Sequence, residues 1–377
     1  MRKIGFIITI ILCFILVACA NTTDSKQTIK VGYLSNMSGP SNFFGLDGLI
    51  GVQTRINQYN SNPDSKYEFE IFIYDLESNI DNLPNAFKYF KEEEIQFVLG
   101  AELSSIAVPA SKIATEEDIL LITLSASSAL LSDSDDMFFR LVTSSDYLSR
   151  AMAKYVYKHE TTDSFCVIYD TSNNNFTANY YASFKDEFEK LGGSISNVIE
   201  FDALQEVDYN SLVKPIIDCN SNGVLLITRG KDTGILTQKI FQATNSKKIY
   251  STDWAQNHDF IDFSGSYTQE VVFLGNNNLK NTSKSFWNFK NIFEETNDNE
   301  LNLLHYLGYE ATSLLINGIE ESDKLEGKSV KEYLSQIEVF SGTEDYYINS
   351  YGDTIKTIWF HKYNGSEFVP IDSIEPK

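Results

Sequence analysis

From Ile29 onward the chain alternates short unbroken apolar runs with longer segments whose apolar residues recur every three or four positions. A strand buried on both faces requires the first pattern, and a helix packed on one side produces the second. Runs at 29–34, 97–100 and 119–122, with the alternating Phe69, Ile71 and Ile73, predict strands. Helical spacing between them covers about 45–59, 83–90 and 104–114. The rhythm restarts after Arg140, with a helix at 147–158 and strands at 165–169, 195–201, 224–227, 249–250 and 271–274. One helix there carries Phe176, Tyr180, Phe184, Phe188 and Leu191 on a single stripe and stops at Gly192-Gly193, a helix-ending signal. Helices at 209–217 and 235–243 fill the intervals, and later ones are expected near 286–293, 304–319 and 327–337. The tail reads as antiparallel strands turned at Asn364-Gly365. Strands alternating with helices in this way form parallel sheets covered on both faces. The pattern predicts an α/β protein of two successive halves of similar length.

The chain begins differently. Arg2 and Lys3 precede an uncharged apolar stretch over residues 4–17, which ends in Leu16-Val17-Ala18-Cys19. A basic start followed by a short apolar run is the plan of an export signal, and the run is near the lower limit for a membrane span. A small residue followed by cysteine at its end resembles the lipobox of bacterial lipoproteins. That resemblance implies a signal peptide over 1–18 and diacylation of Cys19, with a polar tether over 19–27. Two or more acyl chains hold a bilayer far more firmly than one. The folded part is then expected outside the cytoplasm, lipid-anchored to the bacterial cell membrane.

Composition narrows the remainder. The chain has 377 residues, 42% of them hydrophobic, enough for two domains with sizeable cores. A net charge of -22 disfavours nucleic acid or anionic lipid as a partner. Of the four cysteines, Cys13 lies in the signal and Cys19 is the lipid site. Cys166 sits in an apolar strand pattern and Cys219 ends a helical one. Two buried free thiols are the expected state, ahead of a disulfide.

Catalytic signatures do not emerge. There is no G-x-S-x-G, H-E-x-x-H, C-x-x-C or G-x-G-x-x-G. Gly327-Lys328-Ser329 lacks the first glycine of a phosphate loop, because Ser322 stands in its place, and reads as a helix start with a surface lysine. His159, His258, His305 and His361 have no ligand spacing, and the lysines beside His159 and His361 suggest solvated positions. Asp133, Asp135 and Asp136 read as a solvated acidic loop, without the glycine and distal glutamate of a calcium loop. No enzyme, cofactor or metal is expected.

The order of short motifs resembles type I periplasmic binding proteins, in particular the leucine/isoleucine/valine-binding branch. Ile29-Lys30-Val31-Gly32 is followed by Met37-Ser38-Gly39-Pro40, Phe44-Gly45 and Gly51. Next come Gly100-Ala101-Glu102-Leu103-Ser104-Ser105 with Pro109-Ala110, then Ser125-Ala126-Ser127, and Phe139-Arg140 where the first crossover falls. The resemblance runs from Ile29 to the C-terminus. It implies two Rossmann-like lobes joined by a three-strand hinge and closing on a ligand. Lobe 1 would take residues 28–142 with 276–341, and lobe 2 residues 143–275 with 342–377.

Ligands in open α/β sheets bind beyond the carboxyl ends of the strands. Ser104 and Ser105 follow one such end at a helix start, where free N–H groups suit an anion, and Ser125 and Ser127 follow the next. N-capping is the other role open to Ser104 and Ser105. In Ser251-Thr252-Asp253-Trp254, Asp253 matches the family's acidic residue that pairs with a ligand ammonium; it could also cap the following helix. Phe176 takes the place of an aromatic stacking on the ligand, although it also opens a core stripe, and Phe44 that of one at the cleft rim. Phe176-Thr177-Ala178-Asn179 departs from the family's Tyr-Gly-x-Gly, and Arg229-Gly230 replaces an aromatic. Arg229 would meet a negative ligand group or point to solvent. The resemblance implies a monomeric solute-binding protein that delivers an amino acid or related small molecule to an ABC permease. The alternative is a receptor of the same fold reporting to a membrane kinase or chemoreceptor.

Overall fold

The computed structural model describes residues 26–39, 42–159 and 163–376, so Cys19, the expected signal and Pro40 lie outside the described residues. Strands β1 (Gln27–Ser35), β2 (Tyr67–Asp75), β3 (Phe97–Gly100), β4 (Leu120–Thr123) and β5 (Phe138–Arg140) form a parallel sheet in the order β2-β1-β3-β4-β5. β3 and β4 are buried at every position, which is why they read as unbroken apolar runs. Helices α1 (Asn42–Asn60), α2 (Leu83–Glu92) and α3 (Ser104–Glu116) connect them.

The second half repeats the plan. Strands β6 (Ser164–Asp170), β7 (Ser194–Phe201), β8 (Gly223–Ile227), β9 (Lys248–Thr252) and β10 (Val271–Gly275) run parallel in the order β7-β6-β8-β9-β10. Helices α4 (Ser145–His159), α5 (Asn174–Lys190), α6 (Tyr209–Asp218), α7 (Gly230–Ala243) and α8 (His258–Ser264) accompany them. Phe176, Tyr180, Phe184 and Phe188 are buried along α5, as their spacing predicts. In each lobe the strand order reverses beside the first strand, between β1 and β3 or between β6 and β8. That reversal opens a crevice at the strands' carboxyl ends.

The chain then returns to the first lobe. Helices α9 (Lys284–Thr296), α10 (Leu303–Glu321) and α11 (Gly327–Leu334) place Phe286, Phe293, Leu314 and Val330 in one core with Val31, Phe97 and Leu120. α10 lies tightly on α1, where a Cβ on Gly51 would come within 2.0 Å of the His305 carbonyl oxygen. Three short strands follow, β11 (Val339–Ser341), β12 (Asp345–Ile348) and β13 (Thr354–Ile355). They place Tyr346 and Ile348 in the first lobe's core, although 342–348 had been assigned to the second. Strands this short carry too few alternations to be read from sequence. β14 (Ile358–Tyr363) and β15 (Phe368–Ile374) add antiparallel to β10 and complete the second sheet.

Three passages link the lobes, at 141–144, 276–283 and 356–357. They are bonded to one another and to the strands beside them. The wholly buried Arg140, just before the first passage, donates from Nε to Asp353 at 2.9 Å and from Nη1 to the Ser128 carbonyl at 2.9 Å. Asn276 accepts the Thr143 N–H at 2.6 Å. Buried Lys356 donates to Asn277 at 2.7 Å and pairs with Glu344.

Two sequence expectations fail. Cys166 and Cys219 form a disulfide that ties β6 to the end of α6; Cys166 is buried as its strand pattern predicts, Cys219 is half-buried, and their adjacency depends on how α6 packs on the sheet. His361 is 2% exposed on the inward side of β14, where burial pulls its pKa down to about 4. Its lysine neighbour reflects strand alternation rather than exposure. Among the described residues, no helix is long and apolar enough to cross a membrane.

Candidate functional site

The ends of β3, β4, β6, β9 and β10 bring a set of polar groups to the seam between the lobes. Ser105, in the first turn of α3, donates its N–H to Asn173 Oδ1 at 3.0 Å, across the seam. Ser104 turns back, and its Oγ accepts the Ser128 N–H at 3.1 Å, which holds the two serine-bearing loops together. Ser128 donates its hydroxyl to the Asn175 carbonyl, again across the seam. Ser127 accepts the Ser145 N–H on its carbonyl at 2.6 Å and is 8% exposed.

Next to Asn175, the Phe176 ring stands edge-on to Trp254, with centroids 5.7 Å apart. Trp254 adjoins Asp253, whose Oδ2 accepts the Asn276 N–H at 3.0 Å. Asn276 holds Thr143, and the chain from Thr143 to Ser145 leads back to Ser127. Ser105, Ser127, Phe176 and Asp253 thus lie around one closed circuit of contacts. Burial pushes the Asp253 carboxyl pKa up, and no cation among the described residues offsets it. Beside it, Tyr180 Oη, Thr252 Oγ1, Thr143 Oγ1 and Trp254 Nε1 are buried without a hydrogen-bond partner. Buried polar groups left in that state cost about 1–3 kcal/mol each. The arrangement suits a polar, cation-bearing guest.

Other residues singled out in the sequence lie elsewhere. Arg229, at the end of β8, donates from Nε to Asp232 at 3.1 Å and from Nη2 to the Ala203 carbonyl at 2.9 Å. It also lies 3.8 Å from buried Asp170. Its charge therefore faces two carboxylates of its own lobe rather than open solvent. Ser125 turns inward and donates to the Glu102 carbonyl at 3.0 Å. Phe44 is 7% exposed in the first turn of α1, with its ring centroid 4.0 Å from that of Phe43.

Asn173, Asn175, Ser128, Thr143, Asn276, Tyr180 and Trp254 were not singled out. The strand-end rule used for Ser104 would have flagged Asn173 after β6 and Asn276 after β10. Thr143 carries no local signal. Glu102 also went unweighed, although it lies between the serine motif and the first strand. Only 4% exposed, its carboxyl is pushed by burial up to about 7, and it meets the Tyr33 and Ser35 hydroxyls.

Two parallel-sheet lobes with matching crevices, three linking passages and a polar seam define a two-lobed binding protein. The chain belongs to the periplasmic binding protein family, whose sequence profile matches residues 28–364. A Leu/Ile/Val-binding protein homolog from Brucella melitensis is 22% identical over 261 residues, 68% of this chain and 69% of that protein. The fold is similar to a leucine-binding protein from Thermotoga maritima, with a TM-score of 0.84, 19% identity and coverage of 92% and 99% of the two chains. It is also similar to a solute-binding protein of an ABC transporter from Rhodopseudomonas palustris, solved in complex with 4-hydroxybenzoate. That match has a TM-score of 0.82, 14% identity, and coverage of 93% and 97%. Each of these relatives is named as a binding protein for a small molecule.

Proposed function

We propose that this protein is the lipid-anchored, extracytoplasmic receptor of an ABC uptake system and binds an amino acid or a close relative between its lobes. The observation that carries the reading is Asp253, a carboxylate withdrawn from water at the seam, with no cation of its own and three unpartnered hydroxyls nearby. An ammonium group would supply the missing charge. Ser127 and the start of α3 offer hydroxyls and N–H groups for a carboxylate on the opposite lobe. An aromatic carboxylic acid is the competing guest, favoured by the Phe176–Trp254 pair. Such a molecule brings no cation to Asp253, so the two classes separate in one experiment. A thermal-shift screen of amino acids against benzoates should select an amino acid. Bound at a hundredfold excess over its dissociation constant, it should stabilise the fold by about 2.7 kcal/mol. Selection of benzoates alone would overturn the amino-acid reading.

Anchoring rests on the lipobox-like end of the apolar stretch. Labelling with a tagged fatty acid should mark the wild type and miss Cys19→Ser. Equal labelling of both would remove the anchor.

A further inference from the structure

Below the serine loops lies a second buried cluster, made by the end of β1, the loop after β3 and the first turns of α1. Tyr33 is unexposed, Ser35 is 1% exposed and Glu102 4% exposed. The Tyr33 phenol oxygen lies 2.6 Å from Glu102 Oε1 and 2.8 Å from the Gly45 carbonyl oxygen. Ser35 donates its hydroxyl to Glu102 Oε2. The packing leaves no slack: a Cβ on Gly48 would stand 2.6 Å from the Tyr33 hydroxyl and 3.2 Å from Glu102 Oε1.

Counting protons identifies the charge state. A phenol has one hydrogen, yet Tyr33 faces two oxygens at hydrogen-bond distance. If Glu102 were ionised, both would be acceptors, and one contact would have to exist with no hydrogen in it. With a proton on Glu102 Oε1 every contact has a donor: Glu102 gives to Tyr33, Tyr33 to Gly45, and Ser35 to Glu102. The surroundings agree. Of the charged groups near the cluster, Asp47 on α1 is a further acid, held by Asn302 Nδ2 at 2.7 Å and 3.6 Å from His305. No lysine or arginine among the described residues pairs with Glu102. A carboxylate buried without a cation is costly, and the neutral acid avoids that cost.

We infer that Glu102 carries a proton in this relay and is a positioning residue, clamping the loop of residues 100–105 to the start of α1. The loop needs a clamp. Ala101 sits at φ 52°, in the left-handed region unusual for a residue with a side chain. Past that turn, Glu102 runs under α1, and its own carbonyl accepts the Ser125 hydroxyl. The first turn of α3, with Ser104 and Ser105, follows directly, so the relay sets where those groups stand at the seam. The importance of that placement for ligand capture rests on the binding role proposed above; the clamp itself does not.

The test uses the full ligand-free protein, so its outcome is independent of which solute is bound. Carbon-13 NMR of the labelled glutamate carboxyls, assigned by Glu102→Gln, should show Glu102 titrating near 7. Amide exchange at Ser105, Ile106 and Ala107, corrected for intrinsic rates, should lose about tenfold or more in protection between about pH 6 and about pH 8.5. Glu102→Gln has a donor for Tyr33 and an acceptor for Ser35 and cannot ionise, so its protection should stay high and flat with pH. Glu102 titrating in the ordinary range of about 4.3 would overturn the inference. So would protection that changes alike in the wild type and Glu102→Gln.

Discussion

Asp253 and Arg140 are both ionisable side chains held away from water, yet their partners differ, and so do the expected costs of replacing them. Arg140 has its charge met by Asp353 and its other donors taken by the Ser128 carbonyl and Ser132. Arg140→Met leaves Asp353 with 12% side-chain exposure and no cation. The expected loss is about 3–5 kcal/mol in urea unfolding, as is usual when one half of a buried pair is removed. Asp253 is held by N–H groups that an amide oxygen also satisfies. Asp253→Asn should therefore leave unfolding within about 1 kcal/mol of the wild type. Calorimetry with the amino acid selected by screening should show affinity at least about tenfold weaker. Unchanged affinity would take Asp253 out of the site. Asp253 was singled out by the family resemblance and the serines by their place after strand ends, and the structure sets Asp253, Ser105 and Ser127 along the seam. Of the two carboxylates beside Arg229, Asp232 lies three residues along the chain, whereas Asp170 is brought to it by the fold of the second lobe and was not legible.

At the scale of elements, legibility followed length and burial. β3 and β4 are four residues each, but every position is apolar, and flanking loops mark them off. The stripe of α5 was readable because four aromatic residues share one face. β11 to β13 were not, since strands of two to four residues that bury every second side chain leave only one or two apolar positions apiece. The disulfide belongs to this scale too. It closes a loop with a sequence separation of 53 between β6 and the end of α6. The chain-entropy relation gives about 4 kcal/mol for a loop of that size. Replacing both cysteines with alanine should lower stability by up to that amount. Reductant should lower the melting temperature of the wild type and leave the double variant unmoved.

Across the whole molecule, buried titratable groups set how stability depends on pH. Glu102 and Glu310 are held near 7, against 4.5 when exposed, chiefly by burial. Each stays protonated in the native state after the denatured chain has lost its proton, so stability falls as pH rises from about 4.5 to 7. At 1.36 kcal/mol per unit the loss is about 3 kcal/mol for each. His361 opposes them. Its folded value of about 4, against 6.5, keeps it neutral while the denatured chain binds a proton, so its contribution grows over about pH 4 to 6.5. Burial also raises Asp136, to about 6 against 3.8, so the carboxyls outweigh the imidazole and the net loss should be at least about 3 kcal/mol between pH 4.5 and 7. Urea titrations at the two ends of that window check it, and Glu102→Gln should remove roughly half of the share of the two glutamates.

The first lobe's core draws on both ends of the described chain, with Val31 and Phe97 packed against Phe286, Leu314 and Val330. A polypeptide emerges N-terminus first, so time enters the architecture. The sheet β1–β5 is synthesised long before α9, α10 and α11, and until they arrive the apolar face they share with α1 is covered by α1 alone. Non-local closure of this kind is slow and leaves aggregation-prone surface in the interval. A chain ended after residue 275 should therefore bind a hydrophobic dye and resist dispersal, even though all five strands of its first sheet are present. For the nascent protein, the vulnerable period is set by some two hundred residues of waiting, a delay written into the order of its helices.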